Sequence, residues 1–507
     1  MALIRTYHKL KNKPALSRWL FYLGLLVYLM PVYLLPLFPT LDGAAHLYSA
    51  SLIARWSEIP IAHDLLLQQP IPPPNILSHW IMASLWSFLS PIAIEKFIVV
   101  LCLALPAIAA ELLCRQKGIS SINAILILPL LHNFLLYMGF YNFVLGSGIL
   151  LLSYVALGYL HRKRPWLIVL IVLISGALMY FAHIFILPFF TFVLLIDYLF
   201  SKARVKRIAL LTSLAPLILS VYMFYNNFVE KTGEPINIAW PNIGERLDML
   251  VNAQPLIIFY QSESQRTMWF SALLLILLLA ELLRIKRWSF SGRAFGVISL
   301  GFLLAFLVVP DELMGGAILA IRLQLIFLYM LIFLLILEVR RGWQRIIIIL
   351  FIISYGPYHL HYQTKANKDL SYLGSQLYHI GQNLDRGGIV VPIYFNDNWL
   401  EAHVANYAGL QHPVIIADFY EALNPHFPFY FNPKANPYTL MGMDQPGGRT
   451  CPDIPAMEAV IGHKVQYIIN IKKRPYPEGC YLDDFINDYF DFFEETDDCV
   501  VYKRVNN

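Results

Sequence analysis

Asp42 and His46 stand four residues apart in "FPTLDGAAHLYSASLIARW" (Phe38–Trp56), directly after the first long apolar run of the chain. In a helix starting near Asp42 the two share a face. A carboxylate there can serve as general base toward a hydroxyl or amine. It can equally be a helix N-cap, accepting hydrogen bonds from the first turn. His46 is either a packing residue or a polar partner of Asp42, and together the two supply two metal ligands, short of a complete site. A second group follows in "LHNFLLYMGFYNFVLG", with His132, Asn133, Tyr141 and Asn142, and His183 lies in "YFAHIFILP". Each also has a plain structural reading, as a capping residue or a satisfied interface histidine. The third is "VVPDELMGGAILAIRLQLIFLYM" (Val308–Met330), where Asp311 and Glu312 precede an apolar run that contains Arg322. Arginine inside an apolar span is costly and is retained for a partner. Its forked, permanently charged head suits a phosphate oxygen. Snorkelling to the interface, or pairing with Glu312, is the structural alternative.

The elements that position these residues follow from composition. Of 507 residues 58% are hydrophobic and 14% charged, against about a quarter charged in soluble domains, so lipid solvates most of the chain. Eleven apolar runs are long enough to be spans: 17–39, 92–114, 119–137, 141–160, 165–182, 184–200, 208–225, 268–284, 294–310, 317–337 and 345–360. With eleven, one face receives Arg5, Lys9, Lys11, Lys13, Arg18, Arg115, Lys117, Arg162–Arg164, Lys202–Arg207, Arg284–Arg293 and Arg340–Arg345. The other receives only Arg55, Lys231, Arg246 and Arg266. The positive-inside rule makes the first face cytoplasmic. Counting Asn75–Leu89 as a span would invert every later loop, so it reads as an interfacial helix within an external loop, 40–91, broken by "QQPIPPPN".

Beyond residue 360 the pattern changes. "GGIVVPIYF", "HPVIIADF" and "VQYIINIKK" read as strands, and "WLEAHVANYAGL" as a helix. "LDDFINDYFDFFEETDDC" has helix-like spacing and reads as a solvated face. The expected organisation is a transmembrane module over 1–360, including the external loop, and an extracytoplasmic α/β domain over 361–507. Cys451, Cys480 and Cys499 in that domain allow one disulfide with one thiol left over, if the compartment is oxidising. His403, His412 and His426 have no metal spacing, and there is no phosphate-binding glycine loop.

This layout resembles the GT-C glycosyltransferases: protein O-mannosyltransferases, lipid A aminoarabinose transferases and oligosaccharyltransferases. The shared features are a basic N-terminus, one span, an Asp just outside it, a long loop with juxtamembrane helices, a many-span bundle, a late arginine opening a span, and an external C-terminal domain. "VIIADFYEALNPHFPFYF" (Val414–Phe431) is similar to a segment in the soluble domains of some bacterial members. The resemblance implies a polytopic α-helical membrane protein of about eleven helices in a bacterial inner membrane, N-terminus cytoplasmic and C-terminal domain external. It implies transfer of a sugar from a polyprenyl-phosphate-linked donor to a lipid, glycan or protein acceptor on the external face. By position, Asp42 matches the catalytic Asp of the first loop and Arg322 the phosphate-binding Arg. His46, Tyr141, Asn142, His183, Asp311 and Glu312 are the accompanying substrate-binding candidates. The pattern departs from the family in having Asp-Gly instead of an acidic pair after the first span. The second external turn carries Asn and Tyr in place of Asp-x-Asp. No metal ligand set is assigned, and a divalent metal is left open as cofactor. Membrane lipid is an expected partner and nucleic acid is not. A flippase of lipid-linked sugars and a non-catalytic membrane assembly protein are the alternatives. The paired broken helices of transporters are not evident in two related halves.

Overall fold

The computed structural model describes residues 14–505 apart from 161–164, 227–239, 313–316, 395–397, 425, 443–450, 474 and 477–478. Arg5, Lys9, Lys11, Lys13, Arg162, Lys163, Arg164 and Lys231, used above for orientation, lie outside the described residues. The chain forms two units. One holds residues 1–33, 99–137 and 141–366, the other 34–98, 138–140 and 367–507.

In the first unit apolar sequence becomes helix because a span must satisfy its backbone internally. Among the described residues eight helices are long and apolar enough to cross a membrane, from Ala15–Leu34 to Leu319–Glu338. They match eight of the eleven expected runs. The others differ for physical reasons. Residues 119–137 form a 3-10 helix, Asn123–Leu130, and a short turn, Phe134–Tyr137. Pro129 cannot donate to a helical ladder, and the 3-10 stretch is buried throughout. Irregular backbone at membrane depth is tolerated only when covered by protein in this way. Residues 184–200 form Ile186–Ser201, of 16 residues, and 345–360 lie within a 39-residue helix, Gly342–Ile380.

Five of the basic residues assigned to one face lie together. Arg18, Arg115, Lys117, Arg340 and Arg345 line one cavity of about 690 Å³, with Leu337 also in its wall. Arg322 stands in the first turn of Leu319–Glu338, about 22 Å along that helix from Leu337. It is therefore at the opposite end of the span from the basic cavity.

The second unit carries a five-stranded sheet, in the order β3-β2-β5-β7-β6. Its strands are β2 Ile389–Ile393, β3 Ile415–Ile416, β5 Tyr467–Ile471, β6 Phe490–Glu495 and β7 Cys499–Arg504. The three strands read from the sequence are β2, β3 and β5; they run parallel, and β7 closes antiparallel on β5. Every residue of β2 and β5 is buried, which is why both are unbroken apolar runs instead of alternating ones. "WLEAHVANYAGL" forms two 3-10 segments, Trp399–Glu401 and Val404–Gly409, instead of the expected helix. "LDDFINDYFDFFEE" divides into a helix, Leu482–Tyr489, and β6. Cys451 and Cys480 form the disulfide, and Cys499 is a buried free thiol.

The external loop belongs to this same unit. It supplies the helices Gly43–Arg55, Pro60–Leu65 and Leu77–Leu85, the last nine residues long and so far short of a span. Its strand β1, Leu66–Gln68, pairs antiparallel with β4, Phe429–Phe431. Glu95, fully buried, accepts from the Phe38 backbone N–H at 3.0 Å and from the Tyr407 hydroxyl. Ser371 accepts from Leu37 N–H at 3.1 Å and donates to Leu37 C=O at 2.8 Å. Polar groups flanking the loop are thus satisfied by one another and by Ser371 and Tyr407 of the later chain.

Candidate active site

Asp42 occupies the N-cap position of Gly43–Arg55, but its side chain makes no capping hydrogen bond. Its backbone does the local work: the N–H donates to Met138 C=O at 3.2 Å, and the C=O accepts from His46 N–H at 2.9 Å. The carboxyl, 11% exposed, is left for other chemistry. Oδ1 lies 3.8 Å from His403 Nε2, and the His403 ring stacks on Tyr420 with centroids 3.9 Å apart. Burial pushes the Asp42 carboxyl up to about 7, with the His46 imidazole and the Tyr420 hydroxyl only partly offsetting it.

His46 shares that face, as the four-residue spacing predicts, and its partners come from far along the chain. Nε2 bonds Gly139 C=O at 2.9 Å, and Nδ1 bonds the Glu421 carboxylate. Glu421, with no exposed surface, also faces His79, whose Nε2 is 3.3 Å from Oε2. The His46 and His79 rings meet edge to face at 4.9 Å. Burial favours neutral forms, yet the two imidazoles hold Glu421 down to about 2. At His46 burial is the largest single effect, but the Glu421 charge and hydrogen bond, the Asp42 charge and the Gly139 carbonyl together outweigh it and raise the imidazole, whereas burial wins at His79 and lowers it. Among the described residues, His46, His79 and Glu421 are the group of three that could jointly hold a metal ion.

Gly139 closes the site from the turn Met138–Phe140. Its φ of +82° suits glycine, and a Cβ added there would stand 2.7 Å from Asp42 Cβ and 2.8 Å from Asp42 N. Gly139→Ala is expected to cost about 2–4 kcal/mol, because left-handed backbone and backbone overlap add. Thermal unfolding of the purified protein checks this; an unchanged midpoint would remove the close approach.

Arg322 is placed in the other unit. It is 8% exposed, bonds His183 Nε2 through a terminal guanidinium nitrogen, and lies 5.4 Å above the Phe143 ring. The His183 and Phe143 rings meet edge to face at 5.2 Å. Tyr141 and Asn142 are buried in the first turn of Tyr141–Leu160, beside Phe143. His183, which the sequence leaves as either a substrate contact or a satisfied histidine, is bonded to the arginine. Asp311 holds the start of Leu319–Glu338 by accepting from Ala320 N–H at 2.9 Å, and Arg246 approaches it at 3.8 Å. Glu312 is exposed. His132 takes the structural reading, bonding Tyr28 C=O at 2.7 Å and the Tyr137 hydroxyl at 3.2 Å.

Sequence reasoning missed His79, Glu421, His403 and Gly139. Glu421 had a signal: it is an acid inside the apolar and aromatic stretch Val414–Phe431, where an unpaired charge would be too costly.

No family model matches the chain, and no curated protein matches it. Solved structures do. ArnT from Cupriavidus metallidurans in the apo state superposes with a TM-score of 0.56 at 12% identity, covering 97% of this chain and 98% of that one. The same protein bound to undecaprenyl phosphate gives a TM-score of 0.58 at 11% identity, covering 97% and 99%. At such identity the likeness speaks for the fold. The chain is a polytopic α-helical membrane protein with the GT-C fold of the aminoarabinose transferase ArnT.

Proposed function

We propose that this protein transfers a sugar from a polyprenyl-phosphate-linked donor to an acceptor on the external face of the membrane. The observation that carries the reading is the Asp42 carboxyl: it sits at a helix N-cap without capping, in a buried setting at the edge of the first span. A carboxylate spared from capping its helix is available as a base. In the proposed step an acceptor hydroxyl or amine attacks the anomeric carbon and the bond from that carbon to the phosphate oxygen breaks. The acceptor proton passes to Asp42, and polyprenyl phosphate leaves. Arg322, oriented by His183, binds the phosphate and stabilises the charge it gains on departure. Tyr141 and Asn142 line the donor side of that step. ArnT, of the same fold, has been captured with undecaprenyl phosphate, which supports a lipid phosphate as ligand class.

The external orientation is supported by two independent features. Disulfides persist in oxidising compartments, and Cys451–Cys480 belongs to the unit that carries Asp42. The basic cavity also lies at the far end of the span from Arg322.

Purified protein in detergent, given a synthetic polyprenyl-phosphate sugar and a panel of lipid, glycan and peptide acceptors, is expected to release polyprenyl phosphate and label one acceptor class. Detergent abolishes compartments, so a flippase would give no product. Intact donor across the whole panel would sink the transferase reading.

A further inference from the structure

Three buried side chains from three separate segments converge in the second unit. His46 comes from Gly43–Arg55, His79 from Leu77–Leu85, and Glu421 from the 3-10 turn Tyr420–Leu423. One ligand atom from each can be chosen so that all lie within 4.8 Å of one another. The hydrogen bonds leave a gap in the accounting. When His46 Nε2 donates its proton to Gly139 C=O, a neutral ring presents the Nδ1 lone pair to an acceptor-only carboxylate. Two lone pairs would face each other across that short contact, so a shared proton must lie in it unless a metal ion replaces the proton and sets the two groups apart. Glu421 Oε2, fully buried, accepts no hydrogen bond among the described residues, although His79 Nε2 is 3.3 Å away. A buried carboxylate oxygen without a donor calls for a positive charge.

We propose that His46 Nδ1, His79 Nε2 and the Glu421 carboxylate bind one divalent transition-metal ion of the zinc class. Two imidazoles and one carboxylate form a borderline donor set that suits zinc over magnesium or calcium. Tetrahedral ligands at about 2.0–2.2 Å from zinc stand roughly 3.3–3.5 Å apart, close to the observed His79–Glu421 separations of 3.3 and 3.4 Å, while the shorter His46–Glu421 contact must lengthen to admit the ion. The hydrogen bond from His46 Nε2 to Gly139 C=O is the outer contact that fixes a ligand imidazole in the metal-binding tautomer. Three protein ligands leave one coordination position open. The ion ties two loop helices to the C-terminal segment, and it anchors the first turn of the helix that Asp42 begins. Asp42 is thereby positioned by the site without being a ligand.

The test uses the full chain, purified in detergent, reconstituted with zinc and dialysed. Elemental mass spectrometry is expected to find about one zinc per chain, and Asp42→Asn to keep it. His79→Asn and Glu421→Gln are each expected to bind at least about 100-fold more weakly, since even outer-contact losses cost 10–100-fold. Chelation should lower the unfolding temperature of the parent protein and leave His79→Asn unmoved. Trace zinc after reconstitution, or both variants binding like the parent, overturns the proposal. Should both variants fail to fold, cobalt in the parent protein decides: tetrahedral visible absorption bands support the site, and their absence overturns it. Metal content is read without turnover. A metal-binding but inactive protein would therefore count against the transferase reading alone, and an active, metal-free one against this site alone.

Discussion

Asp42→Asn is expected to lower sugar transfer by about 10²–10⁴-fold, the range for removing a positioned general base. Asparagine has the shape of aspartate, and the two hydrogen bonds Asp42 makes to Met138 and His46 use backbone atoms only. The side chain caps nothing, so the fold loses no capping energy. The substitution thus removes basicity while leaving the helix start where it is. The loss should fall on kcat, with the KM for the donor and the unfolding temperature close to the parent values. Asp42→Glu should recover little, because an added methylene must fit beside Gly139 and Tyr420 in a buried site. Full activity of Asp42→Asn would remove this carboxyl from the mechanism.

Arg322→Gln is the second large effect, and it should divide the other way. A charge-assisted hydrogen bond to a phosphate contributes about 1.5–3 kcal/mol, so the KM for the lipid donor should rise by about 10- to 150-fold. Part of any fall in kcat reports the charge lost from the departing phosphate. Arg322→Lys keeps the charge but not the fork, and cannot both bond His183 and grip two phosphate oxygens. It should lie between the parent and Arg322→Gln. His183→Phe separates orientation from charge: it removes one observed hydrogen bond of the guanidinium, and a smaller rise in donor KM is expected. Binding of a polyprenyl phosphate, followed by its protection against thermal unfolding, provides the measurement. Equal protection in the parent and Arg322→Gln would show that the arginine meets no phosphate.

Much of the architecture is legible in the sequence because it depends on local rules. A span needs about twenty apolar residues in a row, so eight of the runs form, among the described residues, helices long and apolar enough to cross a membrane without any tertiary information. The buried strands β2 and β5 are equally plain as unbroken apolar runs. Residues 119–137 depart from a regular helix, because apolarity alone does not distinguish a continuous α-helix from a buried 3-10 stretch followed by a short turn. The site was half legible. Asp42 and His46 are neighbours on one helix face, and Arg322 is conspicuous inside an apolar run. Their partners are not local. His79 and Glu421 are 342 residues apart, and nothing in either neighbourhood announces the other. Gly139 is one glycine among 27 until its positive φ and its contact with Asp42 are seen.

The second unit is assembled from chain segments that are far apart in order of synthesis. His46 is made 375 residues before Glu421, which at a ribosomal rate of about 5–20 residues per second is a wait of roughly 20–75 s. Through that interval the amphipathic first loop has emerged while β4, the mate of its strand β1, has not yet been translated. The loop must be kept from pairing elsewhere until the end of translation, so biogenesis of this protein is a problem of holding an early segment open for a late one.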